Sequence, residues 1–306
     1  MKLNLTFILL LLLFGCKNQE DINLCIENLP SKTIDAQRQL VSVHTGNKSL
    51  STDYTINSRT TPKERLMTRR YLSDVLNQLN LKALEHDYRE PNSNVFIDLL
   101  VNPFKGTNLY TIIPSTIESD EYVLLGAHYD TARNCPGAND NATAMALLYG
   151  VAKKLSNVPV RQKNVMIVFF DQEEEDLVGS RAFAKYLKKK DYKIHSVHTF
   201  DQIGWDKDLD KAVEIELATK KLEEIYREKA SELQIPIHTT KVNSTDHQSF
   251  RELGFNALGI TEEFANGDTT PFKDTPKDTF DTVDFEYLES TTNLVFEVIN
   301  HIITQN

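Results

Sequence analysis

The chain has 306 residues, of which 40% are hydrophobic and 25% are charged, and its formal net charge at pH 7 is -10. These are ordinary values for a globular protein, and the length suits one large α/β domain or two small ones with a core that needs no disulfide or metal staple. The acidic balance argues against nucleic acid, and against an anionic membrane surface, as the main partner.

The N-terminus has the pattern of a secretory signal. A lysine precedes an apolar run at 5–14, which is followed by Gly15 and Cys16. The run is about half of the ~20 residues that a spanning helix needs. Leu13 to Cys16 resembles a bacterial lipobox, so we predict a lipoprotein signal peptide at 1–15 and lipidation of Cys16. We therefore expect an exported protein that is anchored to a bacterial membrane, at the outer membrane or cell surface. An ordinary signal peptide with a chance cysteine is the alternative.

Residues 16–55 are polar and weakly patterned, and we interpret them as a tether and lead-in to a domain at 56–306. Two cysteines remain beyond the signal, Cys25 and Cys135. An exported protein could join them in a disulfide, but the sequence does not show whether they meet. Two separate thiols are the alternative.

Helices and strands alternate along the rest of the chain. Thr61 caps a helix that has Pro62 at its first position and Glu64 at its third, and the helical spacing of apolar residues runs to about Leu81. Strands are predicted at 108–113, 122–127, 165–170, 195–200, 212–217 and 257–261, and further helices at 142–155, 180–189, 219–233 and 285–303. Several strands are apolar throughout, as in strands buried on both faces. We therefore predict an α/β fold with an open mixed, largely parallel β-sheet flanked by helices on both faces.

Polar clusters follow the predicted strands, where open α/β sheets bind their ligands. His128 and Asp130 come directly after the strand at 122–127 and share a face because strand side chains alternate. A metal-binding histidine usually donates its second ring nitrogen to a carboxylate, so Asp130 is placed to orient His128. This pair alone is also compatible with a structural histidine.

Further carboxylates also lie at the ends of predicted strands and helices. Asp140 lies directly before a predicted helix, where it could cap the helix or hold a cation rigidly. Glu173 and Glu174 follow the strand at 165–170 closely. Because adjacent side chains point in different directions, one glutamate can bind a metal while its neighbour holds an attacking water. A solvated acidic run is the alternative for this pair. Asp201 follows the next strand.

The order and spacing of these clusters resemble those of the co-catalytic zinc exopeptidases, a family that includes bacterial leucyl-type aminopeptidases, glutamate carboxypeptidase and the glutaminyl cyclases. The resemblance covers about residue 60 to the end. The family blocks H-x-D, G-A-x-D-N, E-E with G-S, D-x-I-G, S-D-H and H-T-x-x-D-T correspond to His128/Asp130, Asp140/Asn141, Glu173/Glu174 with Gly179-Ser180, Asp201, Asp246/His247 and Asp274 to Thr279.

The resemblance implies two zinc ions per chain. His128 and Asp201 are then ligands of one ion, and Glu174 is a ligand of the other. Asp140 bridges the two ions.

Asp274 is the most serious departure from the family pattern, because the family has its last metal-binding histidine there. An aspartate can bind zinc through oxygen, and an additional carboxylate would favour harder ions such as manganese. The alternative is that Asp274 points to solvent, and His247 or water fills the position.

The resemblance also implies catalytic roles. Glu173 is the general base, Asp130 orients His128, and Asp246 and His247 line the substrate pocket. The implied activity is that of a metal-dependent aminopeptidase, which hydrolyses N-terminal residues of peptides and contacts the membrane only through its lipid anchor. A glutaminyl cyclase with a single zinc and a non-catalytic binding module on the same scaffold are the alternatives.

Overall fold

A computed structural model describes residues 27–91 and 103–305 of the chain. The strands are β1 (Leu84–Glu90), β2 (Phe104–Ile113), β3 (Glu121–His128), β4 (Asn164–Phe170), β5 (Lys193–Phe200), β6 (Val213–Glu216), β7 (Ile237–Thr240) and β8 (Ala257–Thr261). The helices are α1 (Thr33–His44), α2 (Pro62–Gln78), α3 (Thr143–Leu155), α4 (Val178–Lys189), α5 (Lys220–Leu233), α6 (His247–Arg251) and α7 (Phe285–Thr304). Short helical turns lie at Ala138–Ala142 and Phe280–Thr282.

The strands form one sheet in the order β1-β2-β4-β3-β5-β8-β6-β7. Its centre, β4-β3-β5-β8, is parallel throughout. β1, β2 and β4 pair antiparallel, as do β8 and β6. The prediction of a mixed, largely parallel sheet is confirmed.

Helices cover both faces of this sheet, which explains why the central strands are apolar throughout. Ile167 of β4 belongs to a core cluster with Leu148 of α3, and the same cluster includes residues of α1, α2, α5 and α7. The next residue, Val168, belongs to a second cluster with Phe183 of α4 and Phe250 of α6. Alternate side chains of the strand therefore enter different cores.

The capping signal at Thr61 is also confirmed. Its hydroxyl accepts a hydrogen bond from the backbone N–H of Glu64, whose carboxylate in turn accepts one from the backbone N–H of Thr61. Pro62 occupies the first helical position. This local arrangement fixes where α2 begins.

Helix α1 was not predicted. It lies within 16–55, so part of the expected tether and lead-in is a helix packed on the domain. Leu40 and Val41 are buried, and the side-chain amide of Gln37 donates to the backbone carbonyl of Ala146 at 3.1 Å and to the hydroxyl of Thr292 at 2.8 Å. Because α1 packs partly through buried polar groups, its apolar periodicity is weak.

Strands β1 and β7 were also not predicted. Both lie at edges of the sheet, where side chains reach solvent and the sequence is largely polar. The predicted signal peptide, Cys16 and Cys25 lie outside the described residues. Cys135 is buried, and Cys25, its candidate disulfide partner, is one of the residues outside the described ranges. Within the described ranges, every helix is too short or too polar to cross a bilayer.

Candidate metal centre

The predicted site residues converge at the carboxyl end of the parallel strands. His128 is the last residue of β3, Asp201 follows β5 directly, and Glu173 and Glu174 lie in the turn after β4. Asp274 lies in the long connection between β8 and α7. Neighbouring parallel strands bring their ends to one edge of the sheet, so residues far apart in sequence meet there.

Three buried residues, His128, Asp140 and Asp201, form what we call the inner group. The Nε2 atom of His128 lies 3.1 Å from Oδ1 of Asp140 and 3.6 Å from Oδ1 of Asp201. These three atoms are buried and have no hydrogen-bond partner among the described residues. Unpaired polar atoms are costly to bury, so their convergence is best explained by a cation between them. One imidazole nitrogen and two carboxylate oxygens suit zinc.

Asp140, Glu174 and Asp274 form what we call the outer group. One oxygen of each lies within 4.8 Å of an oxygen of the other two. Asp140 therefore belongs to both groups, and it does not cap α3, whose N-cap is Ala142. The outer group is more open to solvent, because Glu174 is half-buried and Asp274 is exposed. Its all-oxygen donor set fits a second divalent cation.

The crowding of carboxylates in the metal centre also favours a bound positive charge. Burial and the neighbouring carboxylate of Asp140 raise the pKa of Glu174 to about 8. Burial raises the pKa of Glu173 well above its usual range, although His128 opposes this. Burial also disfavours the ionised form of Asp140, but His128 and Lys273 outweigh it and lower its pKa to about 2. Carboxylates crowded in this way are typical of functional sites.

Asp130 holds the acidic turn in place. Its Oδ1 atom accepts a hydrogen bond from the backbone N–H of Glu173 at 3.0 Å, and its Oδ2 atom accepts one from that of Glu174 at 3.2 Å. The predicted contact with His128 is longer, 3.5 Å from Nδ1 to Oδ1. Asp130 thus ties the end of β3 to the turn after β4, a role that its spacing from His128 did not indicate.

Asp278, for which no role was predicted, holds the turn that carries Asp140 in place. The buried carboxylate of Asp278 accepts hydrogen bonds from the backbone N–H groups of Asn139 at 2.8 Å and Asp140 at 3.0 Å. Glu262, also buried, accepts one from the side-chain amide of Asn139 at 2.8 Å. Asp278 is the final aspartate of the H-T-x-x-D-T block, and this match could have indicated its importance.

Arg59 is a second residue that sequence reasoning missed. It is fully buried and donates to the backbone carbonyls of His44, Tyr129, Pro136 and Gly137 at 2.7–2.9 Å. It thereby joins the end of α1 to the connection between His128 and Asp140. No motif marks it, because its partners are backbone atoms.

The two residues predicted to line the substrate pocket have different surroundings. Asp246 is buried, and burial raises its pKa to about 7, whereas the nearby His128 opposes this. His247 turns its Nδ1 atom towards Thr245 Oγ1 at 2.8 Å and Glu216 Oε2 at 3.4 Å. Among the described residues, the candidate ligand groups around the metal centre do not include His247, so the geometry does not favour it as the replacement for the missing histidine.

Comparison with known proteins gives sequence relatives that share part of their length with this chain. Aminopeptidase YwaD of Bacillus subtilis is 28% identical over 188 residues, which are 60% of this chain and 41% of YwaD. The probable lipoprotein aminopeptidase LpqL of Mycobacterium tuberculosis is 36% identical over 72 residues, 24% of this chain and 14% of LpqL. The chain thus matches less than half the length of these curated relatives.

Solved structures share the fold at low sequence identity. BSAP, a zinc aminopeptidase from Bacillus subtilis, superposes with a TM-score of 0.77 at 14% identity, over 91% of this chain and 97% of BSAP. A glutaminyl cyclase from Bacteroides thetaiotaomicron superposes with a TM-score of 0.70 at 17% identity, over 91% of this chain and 100% of the cyclase. Residues 108–299, more than half of the chain, match the profile of Peptidase family M28, and the chain therefore belongs to this family.

Proposed function

We propose that this chain is a metal-dependent aminopeptidase that removes N-terminal residues from peptides. The observation that carries the proposal is the pair of ligand groups that share Asp140, with Glu173 next to Glu174 in the same turn. Its sequence relatives YwaD and LpqL bear the name aminopeptidase, and BSAP is described as a zinc aminopeptidase.

In this proposal, the inner group holds one zinc ion and the outer group holds a second divalent ion. Such ions supply Lewis acidity for the scissile carbonyl and lower the pKa of water. Asp140 is the shared ligand, and its position is fixed by the backbone hydrogen bonds to Asp278. Asp274 supplies the carboxylate where the family has a histidine, so manganese is a candidate for the outer group.

Glu173 is the proposed general base. Its raised pKa, which results mainly from burial, suits a carboxylate that takes a proton from the attacking water and passes it to the leaving amine. The backbone hydrogen bond to Asp130 fixes the turn and so directs the Glu173 side chain. Asp246, buried close to the inner group, is proposed to line the substrate pocket with His247.

We further propose that the chain is exported and held on the membrane by lipid at Cys16. The lipobox pattern at Leu13 to Cys16 supports this, as does the similarity to LpqL, which is named a probable lipoprotein aminopeptidase. Cys16→Ser should move the protein from the membrane fraction to the soluble fraction. Unchanged processing and membrane retention would contradict the anchor.

An activity assay separates this proposal from its alternatives. The purified protein is tested on aminoacyl-nitroanilides and on glutaminyl peptides, before and after prolonged chelation and after zinc is returned. We expect nitroanilide release that chelation abolishes and zinc restores. Cyclisation of the glutaminyl peptide without nitroanilide release would establish the cyclase alternative, and neither reaction at any metal concentration would support a binding module.

A further inference from the structure

The metal centre lies where strands β3, β4 and β5 end. We call the opposite end of the sheet, where these strands begin, the basal end. Helix α3 lies between the metal centre and the start of β4, so it ends at the basal end. The beginning of the described chain lies there too, because Lys153, close to the end of α3, donates to the backbone carbonyl of Ser31. The segment that follows Cys16 therefore joins the domain on the side opposite the metal centre.

The basal end carries two runs of exposed lysines, at 188–190 and 220–221, which we call the basal lysines. The first run closes α4, which leads to the start of β5. The second run opens α5, which follows β6, a strand antiparallel to β8 that therefore ends at the basal end. The Nζ atom of Lys188 lies 4.8 Å from the centre of the Phe255 ring, and the next residue, Asn256, accepts a hydrogen bond from the hydroxyl of Thr219 at 3.0 Å. The two runs thus form one surface.

Local structure does not account for these lysines. The helix dipole favours lysines where α4 ends, but it disfavours them in the first turn of α5. Among the described residues, no carboxylate lies within ion-pair distance of the run at 188–190 or of Lys221, and Asp120 is already paired with Lys193. The connections at this end contain two further acidic residues without an ion-pair partner in the described ranges, Glu118 and Asp191. Positive charge is therefore in excess at the basal end, although the net charge of the chain is -10.

Two exposed apolar side chains lie at the same end of the sheet. Ile117, in the connection from β2 to β3, is 49% exposed, and Val160, shortly before β4, is 51% exposed. Their loops are joined by two hydrogen bonds of 2.8 Å, from the backbone N–H of Thr116 to the carbonyl of Arg161 and from the backbone N–H of Arg161 to the hydroxyl of Thr116. Apolar side chains and lysines together suit an anionic bilayer, which buries the former among its headgroups and attracts the latter.

We propose that the basal end rests on the anionic headgroups of the bilayer, so that the metal centre faces away from the membrane. This inference rests on the proposed lipid at Cys16. Residues 17–26 span at most about 36 Å even when fully extended, which keeps the domain close to the surface. Each lysine near an anionic bilayer favours contact by about fivefold, and the carboxylates of the metal centre are repelled by the same surface. The net charge opposes membrane contact, but its distribution exempts the basal end.

Lysine acetylation followed by mass spectrometry measures which end of the domain faces the bilayer. The lipidated protein is purified in detergent and reconstituted into vesicles of phosphatidylcholine, with or without phosphatidylglycerol. Its intact mass shows whether Cys16 carries lipid. The reference lysines are Lys63 and Lys207, which are exposed in the first turn of α2 and after β5, towards the metal centre.

A pair of double variants tests the role of charge. Lys189→Glu combined with Lys190→Glu reverses the charge of the first basal run. Lys63→Glu combined with Lys207→Glu is the matched control, because it changes the net charge by the same amount. All four side chains are exposed, and thermal unfolding shows that each variant is folded.

With phosphatidylglycerol, the basal lysines should react at least about fivefold more slowly than in detergent, whereas Lys63 and Lys207 should be unchanged. High salt should restore their reactivity, since it screens the charges. The variant at 189 and 190 should lose the protection of Lys221, and the control should keep it. Equal acetylation at both ends of the lipidated protein would overturn the inference alone. Protection already present in detergent would assign the surface to another protein chain and overturn it too, whereas a chain without lipid at Cys16 removes the anchor as well.

Discussion

The inner and outer groups share Asp140 but are built differently. His128 and Asp201 adjoin the ends of two central strands and are buried. Glu174 and Asp274 lie in connections and are more open to solvent. A ligand at a strand end is positioned by the whole sheet, whereas a ligand in a loop depends on local contacts. The departure from the family pattern, Asp274, accordingly falls in the outer group.

Substitution of Glu173 is expected to have the largest effect on activity. Glu173→Gln keeps the size of the side chain but removes its ability to accept a proton, so turnover should fall by about 100- to 10,000-fold. Metal content and thermal stability should stay unchanged, since Glu173 is not a ligand in either group. A near-native rate in this variant would show that the base lies elsewhere.

Removing one ligand from each group tests whether the groups are separate. We expect Asp201→Ala to lose the inner ion and Asp274→Ala to lose the outer ion, with little change of fold in either. Elemental analysis of both variants at matched zinc concentration measures this. Asp274→His, which restores the family ligand, should retain two ions and bind zinc more tightly than the wild type. Two tightly bound ions in Asp274→Ala would rule out ligation by this residue.

The support beneath the inner group can be broken without touching a ligand. Arg59→Met should lower the free energy of unfolding by about 3 kcal/mol, because it leaves several buried carbonyls without donors. Denaturant unfolding of the metal-free protein checks this. Arg133→Met serves as the control, because Arg133 is an exposed arginine in the same connection as Pro136 and Gly137. A loss below about 0.5 kcal/mol would mean that water replaces the guanidinium.

A smaller effect is expected on the stability of the protein at acidic pH. Burial lowers the pKa of both His44 and His198 from 6.5 to about 3. The unfolded chain therefore binds protons between these values while the native protein does not, and stability falls as the pH falls from 6.5 towards 3. Each histidine contributes up to about 1.4 kcal/mol per pH unit within this window.

His198→Gln should reduce this acid dependence, measured on metal-free protein so that loss of metal does not contribute. His198 lies in β5, the strand that leads to Asp201, so the measurement separates acid sensitivity of the framework from that of the ligands. If the free energy of unfolding falls with pH as steeply in the variant as in the wild type, His198 is not the titrating group.

The sequence predicted the central strands and the covering helices because their apolar patterns are local and strong. The resemblance to the zinc exopeptidases implied that His128, Asp140 and Asp201 share a site, and the structure brings these three side chains together. It did not predict helix α1 or the role of Arg59, because each depends on hydrogen bonds to distant backbone or side-chain atoms. Lys273 was missed for a similar reason, because its position beside Asp140 arises only when the loop before α7 folds over the site.

The proposed function requires two ions that share Asp140 as a ligand. Anomalous diffraction at the zinc absorption edge, from crystals of the full chain soaked in excess zinc, tests it most directly. Two peaks should appear about 3.5–4 Å apart, one beside His128 and Asp201 and the other beside Glu174 and Asp274, with Asp140 contacting both. A single peak under these conditions, or two peaks of which only one contacts Asp140, would contradict it.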